Sequence, residues 1–157
     1  LAGADPDNEM GESHEPETHL IPRMFESLNN NNFYIHGNDY NTIDGTCVRD
    51  YVHVSDVADA HILADQYLQT PYANQPRTFN LGTGKGYSVL QVIQTAVTEL
   101  DIPINHLFKP RRDGDPSRLV ANCDAAKRYL NFKPKHNLKS ILRTAYNWYG
   151  KQHRNSI

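Results

Sequence analysis

Short segments rich in β-branched and aromatic residues alternate along the chain with segments whose apolar residues recur at helical spacing. This alternation limits the possible folds more than any other feature of the sequence. The last helical segment has the clearest pattern, with apolar side chains at Leu138, Ile141, Leu142, Ala145 and Trp148. That spacing predicts an amphipathic helix with one buried face. Helices alternating with short strands are typical of an α/β domain, which is the fold class we expect.

The same criteria predict the order of the elements. Helices are expected at residues 20–28, 55–68, 88–100, 124–130 and 138–149. Strands are expected at 33–36, 78–81 and 104–108, and residues 48–54 form either a strand or an extended segment. Ser55 is the predicted N-cap of the second helix, and Ser88 with Gln91 predicts a capping box for the third. No repeat or linker divides the chain, so we expect residues 1–157 to form a single domain.

Composition excludes several classes of partner. The net charge is −2, so the chain has no overall positive field for nucleic acid or an anionic membrane. No apolar run approaches the roughly 20 residues of a membrane span, and no signal peptide begins at Leu1. The only cysteines, Cys47 and Cys123, show no metal-binding spacing, which favours free thiols in the cytoplasm, although the sequence leaves a disulfide between them open.

The segment from Gly82 to Gly86 has glycine at every second position, follows a predicted strand and precedes a helix. That setting suggests a dinucleotide-binding turn. However, the spacing differs from G-x-G-x-x-G, and no acidic residue follows at the expected distance. We therefore interpret the segment as a tight turn whose glycines permit unusual backbone angles, with Ser88 capping the next helix.

The arginines are the strongest candidates for ligand binding. Arg111 and Arg112 precede Asp113-Gly114-Asp115 on a predicted loop, and Arg49 lies in a segment of strand-like character. Guanidinium groups bind phosphate through a planar fork, and a nearby aspartate can accept hydrogen bonds from sugar hydroxyls. The pattern favours a nucleotide-sugar diphosphate, with a solvated basic patch balanced by acids as the equal alternative.

No other group of residues in the sequence indicates a catalytic or metal-binding site. The eight histidines show neither H-E-x-x-H nor zinc-ligand spacing, so no metal site is expected. No nucleophile has the context of a hydrolase. Tyr129 and Lys133 match a bare Tyr-x-x-x-Lys pattern, but Pro134 follows at a predicted helix end, and we interpret the match as chance.

Three segments, in this order, resemble the UDP-glucose 4-epimerase family of extended short-chain dehydrogenases/reductases. They are Asp-Gly-Thr-Cys-Val-Arg-Asp-Tyr-Val-His-Val at 44–54, Asn-Leu-Gly-Thr-Gly at 80–84 and Pro-Arg-Arg-Asp-Gly-Asp at 110–115. The first run is the most specific, and the resemblance covers essentially the whole chain. It implies the C-terminal, substrate-binding half of such an enzyme, without the Rossmann half that holds NAD and carries the catalytic Tyr-x-x-x-Lys. In that family, NAD transiently oxidises carbon 4 of a UDP-sugar.

The resemblance assigns the phosphates and the sugar to four residues. Arg49 and Arg112 would bind the diphosphate, and Asp115 would accept hydrogen bonds from the ribose hydroxyls. Leu119 stands at the position that limits sugar size in relatives. A leucine there would leave room for N-acetylated sugars.

The resemblance assigns the uridine to another five residues. Tyr34, Ile35 and His36 would line the uracil slot, largely through backbone groups. Leu20 would pack near the uridine beside His19, where many relatives have asparagine.

The resemblance leaves the substrate and the extent of the protein to be tested. We expect a UDP-glucose/UDP-galactose 4-epimerase of galactose metabolism, which as a complete protein would be a cytoplasmic homodimer. The alternatives are a 4-epimerase of UDP-N-acetylhexosamines or UDP-pentoses, and a stand-alone, non-catalytic nucleotide-sugar-binding module. Residue 1 is leucine within a sequence typical of the middle of a protein, so we expect a fragment that is inactive by itself.

Overall fold

Five helices and five short strands make up the regular structure in the computed structural model, which describes residues 1–30, 33–71 and 76–154. In chain order they are α1 (Leu20–Asn30), β1 (Phe33–His36), β2 (Val48–Asp50), α2 (Val54–Leu68), β3 (Gly86–Ser88), α3 (Val89–Leu100), β4 (His106–Lys109), β5 (Arg118–Leu119), α4 (Asp124–Leu130) and α5 (Leu138–Arg154). The predicted α/β class is confirmed. Among the described residues, no helix is long and apolar enough to span a bilayer.

The strands form two small sheets. β1 pairs in parallel with β4, and Phe33 lies opposite His106. The other sheet has the order β3-β2-β5, with β2 antiparallel to β3 and parallel to β5. The loop from residue 110 to 117 leaves β4 and enters β5, so it joins the two sheets directly.

Two apolar clusters hold these elements together. The larger one packs α1, α3 and α5 over β1, and its most deeply buried members include Met24, Phe25, Ile35, Ile141 and Leu142. The smaller one lies between α2 and α4 and contains Ala60, Tyr67, Ala126, Leu130 and Phe132. Burial of one face of each helix is the outcome that the helical spacing predicted.

Several predicted elements have the predicted bounds. β1 and α4 coincide with the expected segments, and α4 ends where Asn131 adopts a left-handed backbone with φ of 53°. Ser88 and Gln91 form the predicted capping box of α3. The predicted helices at residues 20–28 and 138–149 are present and extend further, to Asn30 and Arg154.

Two local predictions are wrong. Residues 78–81 form no strand. The apolar side chains of Phe79 and Leu81 pack against the smaller cluster instead, so the pattern that predicted a strand reflects burial and not strand pairing. Ser55 is not the N-cap of α2. The cap is His53, whose Nδ1 accepts a hydrogen bond from the backbone N–H of Ser55 at 3.1 Å. A histidine is an uncommon cap, and the sequence pattern alone favoured the serine.

Candidate functional site

Arg49 lies on the central strand of the three-stranded sheet. Its neighbours in register are Tyr87 on β3 and Leu119 on β5. Leu119 is largely exposed, with 61% of its surface accessible, and it lies beside Arg49 in the register of the sheet. The sheet therefore brings together the predicted diphosphate residue and the predicted sugar-size residue.

Asp115 approaches Arg49 from the loop before β5. One Asp115 oxygen accepts a hydrogen bond from Nη2 of Arg49, and the two half-buried side chains form an ion pair. Nη1 of Arg49 donates to the carbonyl of Val48 at 2.7 Å. The guanidinium is thus held by protein groups on two of its nitrogens, in an environment where a charge-assisted bond is stronger than on an open surface.

Tyr40 and Arg111 make further contacts that hold the loop from residue 110 to 117. Tyr40 is buried, and its hydroxyl donates to the other Asp115 oxygen at 3.4 Å. The guanidinium of Arg111 lies 4.3 Å from the centre of the Tyr40 ring and donates to the Asp39 carboxylate at 2.7 Å. Arg111 is therefore occupied by cation–π and ionic contacts that stabilise the loop.

Arg112 differs from its neighbour. Its side chain is exposed and makes no hydrogen bond or ion pair with any residue that the structure describes. It nevertheless lies near Arg49, because its backbone carbonyl accepts a hydrogen bond from the N–H of Asp115 at 3.3 Å and the Asp115 carboxylate pairs with Arg49. Burial raises the pKa of Cys47, whereas the positive charges of Arg49 and then Arg112 lower it. The two predicted diphosphate residues share one neighbourhood, and the guanidinium of Arg112 is available to an anion there.

The predicted uracil slot lies on β1, next to this loop. Ile35 is 2% exposed and belongs to the larger core, so only its backbone could reach a ligand. The ring of Tyr34 is covered by the Lys109 ammonium at 3.6 Å, and His36 is half-buried. The backbone N–H of Gly37 donates to the Lys109 carbonyl at 2.8 Å, which fixes the end of β1 against the start of the arginine loop.

His19 and Leu20 lie on the wall of a cavity of about 650 Å³, and the described residues that line this cavity include no arginine. Other residues on this wall are mostly apolar, among them Ala2, Met10, Phe25, Tyr51 and Trp148. Nδ1 of His19 and Oε1 of Glu17 are 2.8 Å apart, so this histidine is already paired. The structure thus groups Arg49, Arg112, Asp115 and Leu119 in one place, and His19 with Leu20 in another.

One set of described side chains has the ligand types of a metal site, namely Glu12, Glu17 and His19, whose ligand atoms lie within 4.8 Å of one another. Glu17 already accepts hydrogen bonds from the backbone N–H groups of Thr18 and His19 at 2.7 and 2.6 Å. These internal bonds account for the geometry of the cluster, and we assign no ion to it.

The glycine segment is held by an internal carboxylate. Asp50 accepts hydrogen bonds from the backbone N–H groups of Thr83 and Gly84, each at 2.9 Å. In a dinucleotide-binding turn, such N–H groups would face the phosphates. Because Asp50 occupies them, the turn interpretation agrees with the structure and a phosphate site here does not.

The Tyr129–Lys133 pattern is divided by a helix end. Tyr129 lies in α4 against Tyr67, whereas Lys133 follows the left-handed Asn131 and is exposed. Since the helix stops between them, the two side chains do not lie one helical turn apart on a common face.

Tyr40, Arg111 and Asp39 are parts of the site that sequence reasoning missed as contacts. Arg111 lies inside the motif at 110–115, whereas Asp39 and Tyr40 lie just before the motif at 44–54, two and three residues after Gly37. A Cβ atom at Gly37 would lie 2.4 Å from the Tyr40 ring, so the glycine and the tyrosine belong together. The glycine before a lone aromatic residue was the only local signal.

Comparison with known proteins agrees with this geometry. The model of the NAD dependent epimerase/dehydratase family matches residues 4–82. The chain is 47% identical over 154 residues to the UDP-glucose 4-epimerase of Lactobacillus helveticus, covering 95% of this chain and 46% of that protein. The chain therefore spans about half the length of the curated relatives it matches.

Solved structures give the same result. The UDP-glucose 4-epimerase of Stenotrophomonas maltophila, with bound NAD and formylated UDP-arabinopyranose, is similar with a TM-score of 0.89 and 36% identity, over 98% of this chain and 46% of that one. The enzyme of Bifidobacterium longum, in complex with NAD+ and UDP, has a TM-score of 0.88 and 32% identity over 97% and 45% of the two chains. With half of its sequence matched by the family model, this chain belongs to the NAD dependent epimerase/dehydratase family.

Proposed function

We propose that this chain is the UDP-sugar-binding part of a UDP-glucose 4-epimerase, an isomerase that interconverts UDP-glucose and UDP-galactose. The observation that carries the proposal is that Arg49 pairs with the Asp115 side chain while the Asp115 backbone N–H donates to the carbonyl of Arg112, whose guanidinium is unengaged. Two neighbouring arginines suit the two charges of a diphosphate. The named epimerases that resemble the chain over nearly its whole length support the same ligand.

The site residues divide the ligand between them. Arg49 and Arg112 hold the diphosphate, and Asp115 turns from Arg49 towards the ribose hydroxyls when the diphosphate takes its place. The backbone of Tyr34, Ile35 and His36 receives the uracil. Leu119 lies next to the sugar and holds it loosely. His19 and Leu20 complete the uridine side at the cavity wall.

NAD does not fit the residues of this chain. The glycine turn that could have received its phosphates is closed by Asp50, and Tyr129 with Lys133 does not form a catalytic pair. We therefore assign NAD, which supplies transient oxidation of the sugar in this family, to the part of the complete protein that lies outside this chain. The homodimer and the cytoplasmic location stay predictions of the same proposal.

Binding of UDP to the intact protein tests the site. Arg112→Ala should weaken UDP binding by about 10- to 100-fold, because a charge-assisted phosphate contact is lost. The midpoint of thermal unfolding should change little, since the exposed side chain makes no hydrogen bond or ion pair with a described residue. Arg23→Ala removes an exposed arginine on α1 that pairs with Glu26, and is the matched control. Equal losses of binding and thermal stability in Arg112→Ala would identify a structural arginine instead.

Turnover by the intact, NAD-loaded protein tests the reaction. We expect interconversion of UDP-glucose and UDP-galactose, and chromatographic separation of these two nucleotide sugars measures it. The exposed leucine at position 119 favours a second candidate, a 4-epimerase of UDP-N-acetylhexosamines or UDP-pentoses, and competition among these substrates would decide between them. If the loaded protein leaves every one of these sugars unchanged, the epimerase assignment fails and a non-catalytic binding module remains.

A further inference from the structure

The Asp50 carboxylate follows Arg49 directly on β2 and joins three segments of the chain. Oδ1 accepts from the backbone N–H of Thr83 at 2.9 Å and from its hydroxyl at 2.6 Å. Oδ2 accepts from the backbone N–H of Gly84 at 2.9 Å and from that of Ala121 at 3.4 Å. Residues 83 and 84 lead into β3, and Ala121 follows β5. One side chain therefore connects every strand of the sheet that carries Arg49.

This sheet has few other backbone bonds to define it. β2 and β3 have three residues each and β5 has two. Because the backbone ladder is so short, the four hydrogen bonds to the charged Asp50 carboxylate contribute strongly to the position of β2. The direction of the Arg49 side chain depends on that position, because Arg49 and Asp50 are consecutive residues of one strand.

The site is shaped for a carboxylate. A Cβ atom at Gly82 would lie 2.5 Å from Oδ2 of Asp50 and 2.8 Å from the Cβ of Ala121, so the turn approaches as closely as glycine allows. All four partners donate, and a carboxylate has about four acceptor positions to receive them. Asp50 also lines the 650 Å³ cavity, but its acceptor positions are already filled by the protein.

We propose that Asp50 is a positioning residue for the diphosphate site, and that it aims the Arg49 guanidinium at the ligand without touching the ligand itself. This inference rests on the proposed function, since it requires Arg49 to bind the diphosphate. It predicts that Asp50 acts through Arg49 alone. In the proposed site the backbone of β1 on the other sheet receives the uracil, and Asp50 has no free acceptor position on the cavity wall to offer the uridine, so uridine binding should be independent of Asp50.

A double-mutant cycle on the intact protein tests the coupling. The variants are Asp50→Asn, Arg49→Ala and the two combined, and the measurements are UDP and uridine affinities by calorimetry. Asp50→Asn should weaken UDP binding by about ten-fold, because an amide nitrogen would face N–H donors, while uridine affinity changes less than about two-fold. In the Arg49→Ala protein, Asp50→Asn should cause no further loss of UDP affinity.

Two further variants make the result decisive. Asp65→Asn makes the same chemical change on an exposed face of α2 and should alter neither affinity. Thr83→Ala removes one of the four hydrogen bonds and should produce a smaller loss of UDP affinity, also dependent on Arg49. Thr83→Ala carries the test if Asp50→Asn does not fold.

The outcomes separate this inference from the proposed function. Additive losses in the cycle, or equal losses of UDP and uridine affinity, would overturn the positioning role while UDP binding by the unchanged protein still supports the site. An unchanged protein that binds neither UDP nor inorganic pyrophosphate would overturn the proposed function, and the role of Asp50 with it.

Discussion

Three aspartates along one stretch of chain, Asp44, Asp50 and Asp56, each accept hydrogen bonds from distant donors. Asp44 receives the hydroxyl and backbone N–H of Thr46 and the hydroxyl of Ser88. Asp56 receives the backbone N–H groups of Lys135 and His136 at 3.0 and 3.1 Å. Burial raises the pKa values of Asp44 and Asp56, but these hydrogen bonds outweigh it and lower both. Their charge therefore serves the architecture of the motif rather than chemistry on a substrate.

Glycine is required at position 45 for two reasons. Its φ is 77°, and a Cβ atom there would lie 2.2 Å from the backbone oxygen of Asn38. Gly45→Ala should therefore lower the free energy of unfolding by more than about 2 kcal/mol, measured by urea denaturation. Gly114→Ala is the matched control, because Gly114 has a φ of 76° but nothing within 4 Å of a Cβ atom. It should cost only about 1 kcal/mol. Similar losses in the two variants would contradict the contact with Asn38.

At the scale of an element, α2 begins in an unusual way. His53 is fully buried, caps the helix through Nδ1, and lies with Nε2 3.0 Å from the Thr144 hydroxyl on α5. Because Nδ1 accepts, the proton of the neutral ring is on Nε2, which donates to Thr144. The ring also stacks on His136, with centres 3.9 Å apart. The neutral imidazole of His53 thus connects the start of α2 to His136, just before α5, and to Thr144 within α5.

This start of α2 predicts a pH dependence of stability. Burial lowers the pKa of His53, and repulsion between its protonated form and His136 lowers that pKa further, against opposing contributions from Asp56 and Asp5. A lowered pKa means that the unfolded chain takes up the proton first. Stability is therefore complete above the unfolded value of about 6.5 and falls as the pH drops below it. The unfolding midpoint should be lower at pH 5 than at pH 7.

His53→Asn checks the source of that dependence, because asparagine can cap the helix without titrating. The variant should lose less stability than the unchanged protein between pH 7 and pH 5. His61→Asn, on the exposed surface of the same helix, should retain the original difference. The pKa of Asp56 is lowered as well, and its contribution to stability is lost only as the pH falls below the usual aspartate range near 4, outside the measured window. An unaltered pH profile in His53→Asn would rule out this assignment.

At the scale of the molecule, the proposed function separates the groups that bind the ligand from those that catalyse the reaction. Under that proposal, the described residues would supply arginines for a diphosphate and a backbone slot for a base, and the cavity wall that includes His19 and Leu20 is mostly apolar. The chain spans 46% of its Lactobacillus relative. A division of labour between this part and the rest of the complete protein agrees with the arrangement.

The isolated 157-residue chain should accordingly bind UDP weakly and produce no detectable UDP-galactose from UDP-glucose, even with added NAD. The physical reason is the absence, among the described residues, of a tyrosine and lysine on one helical face at the site. A coupled assay for UDP-galactose, with the intact protein as the positive control, measures this. Turnover by the isolated chain within about a thousand-fold of the intact protein would contradict the separation of binding from catalysis.

Some features of the fold could be predicted from the sequence, whereas others depend on tertiary contacts. The bounds of β1 and α4, the capping box of Ser88 and Gln91, and the tight turn of the glycine segment could be predicted, because neighbours within a few residues determine them. The order of the three motif segments along the chain also indicated the family. The cap of α2 and the false strand at 78–81 could not be predicted, because His53 depends on Thr144 and His136 in distant segments, and Phe79 and Leu81 on a cluster between two helices.

For the candidate site, the sequence by itself determined which residue types are present: arginines suited to phosphate and an aspartate suited to hydroxyls. Only the tertiary structure decided their state. It paired Arg49 with Asp115 across 66 positions, engaged Arg111 with Asp39 and left the Arg112 guanidinium exposed. It also closed the glycine turn with Asp50, across 33 positions. Local preferences contain no information about partners so far along the chain, because such contacts form only when the packed helices and short strands bring them within hydrogen-bond distance.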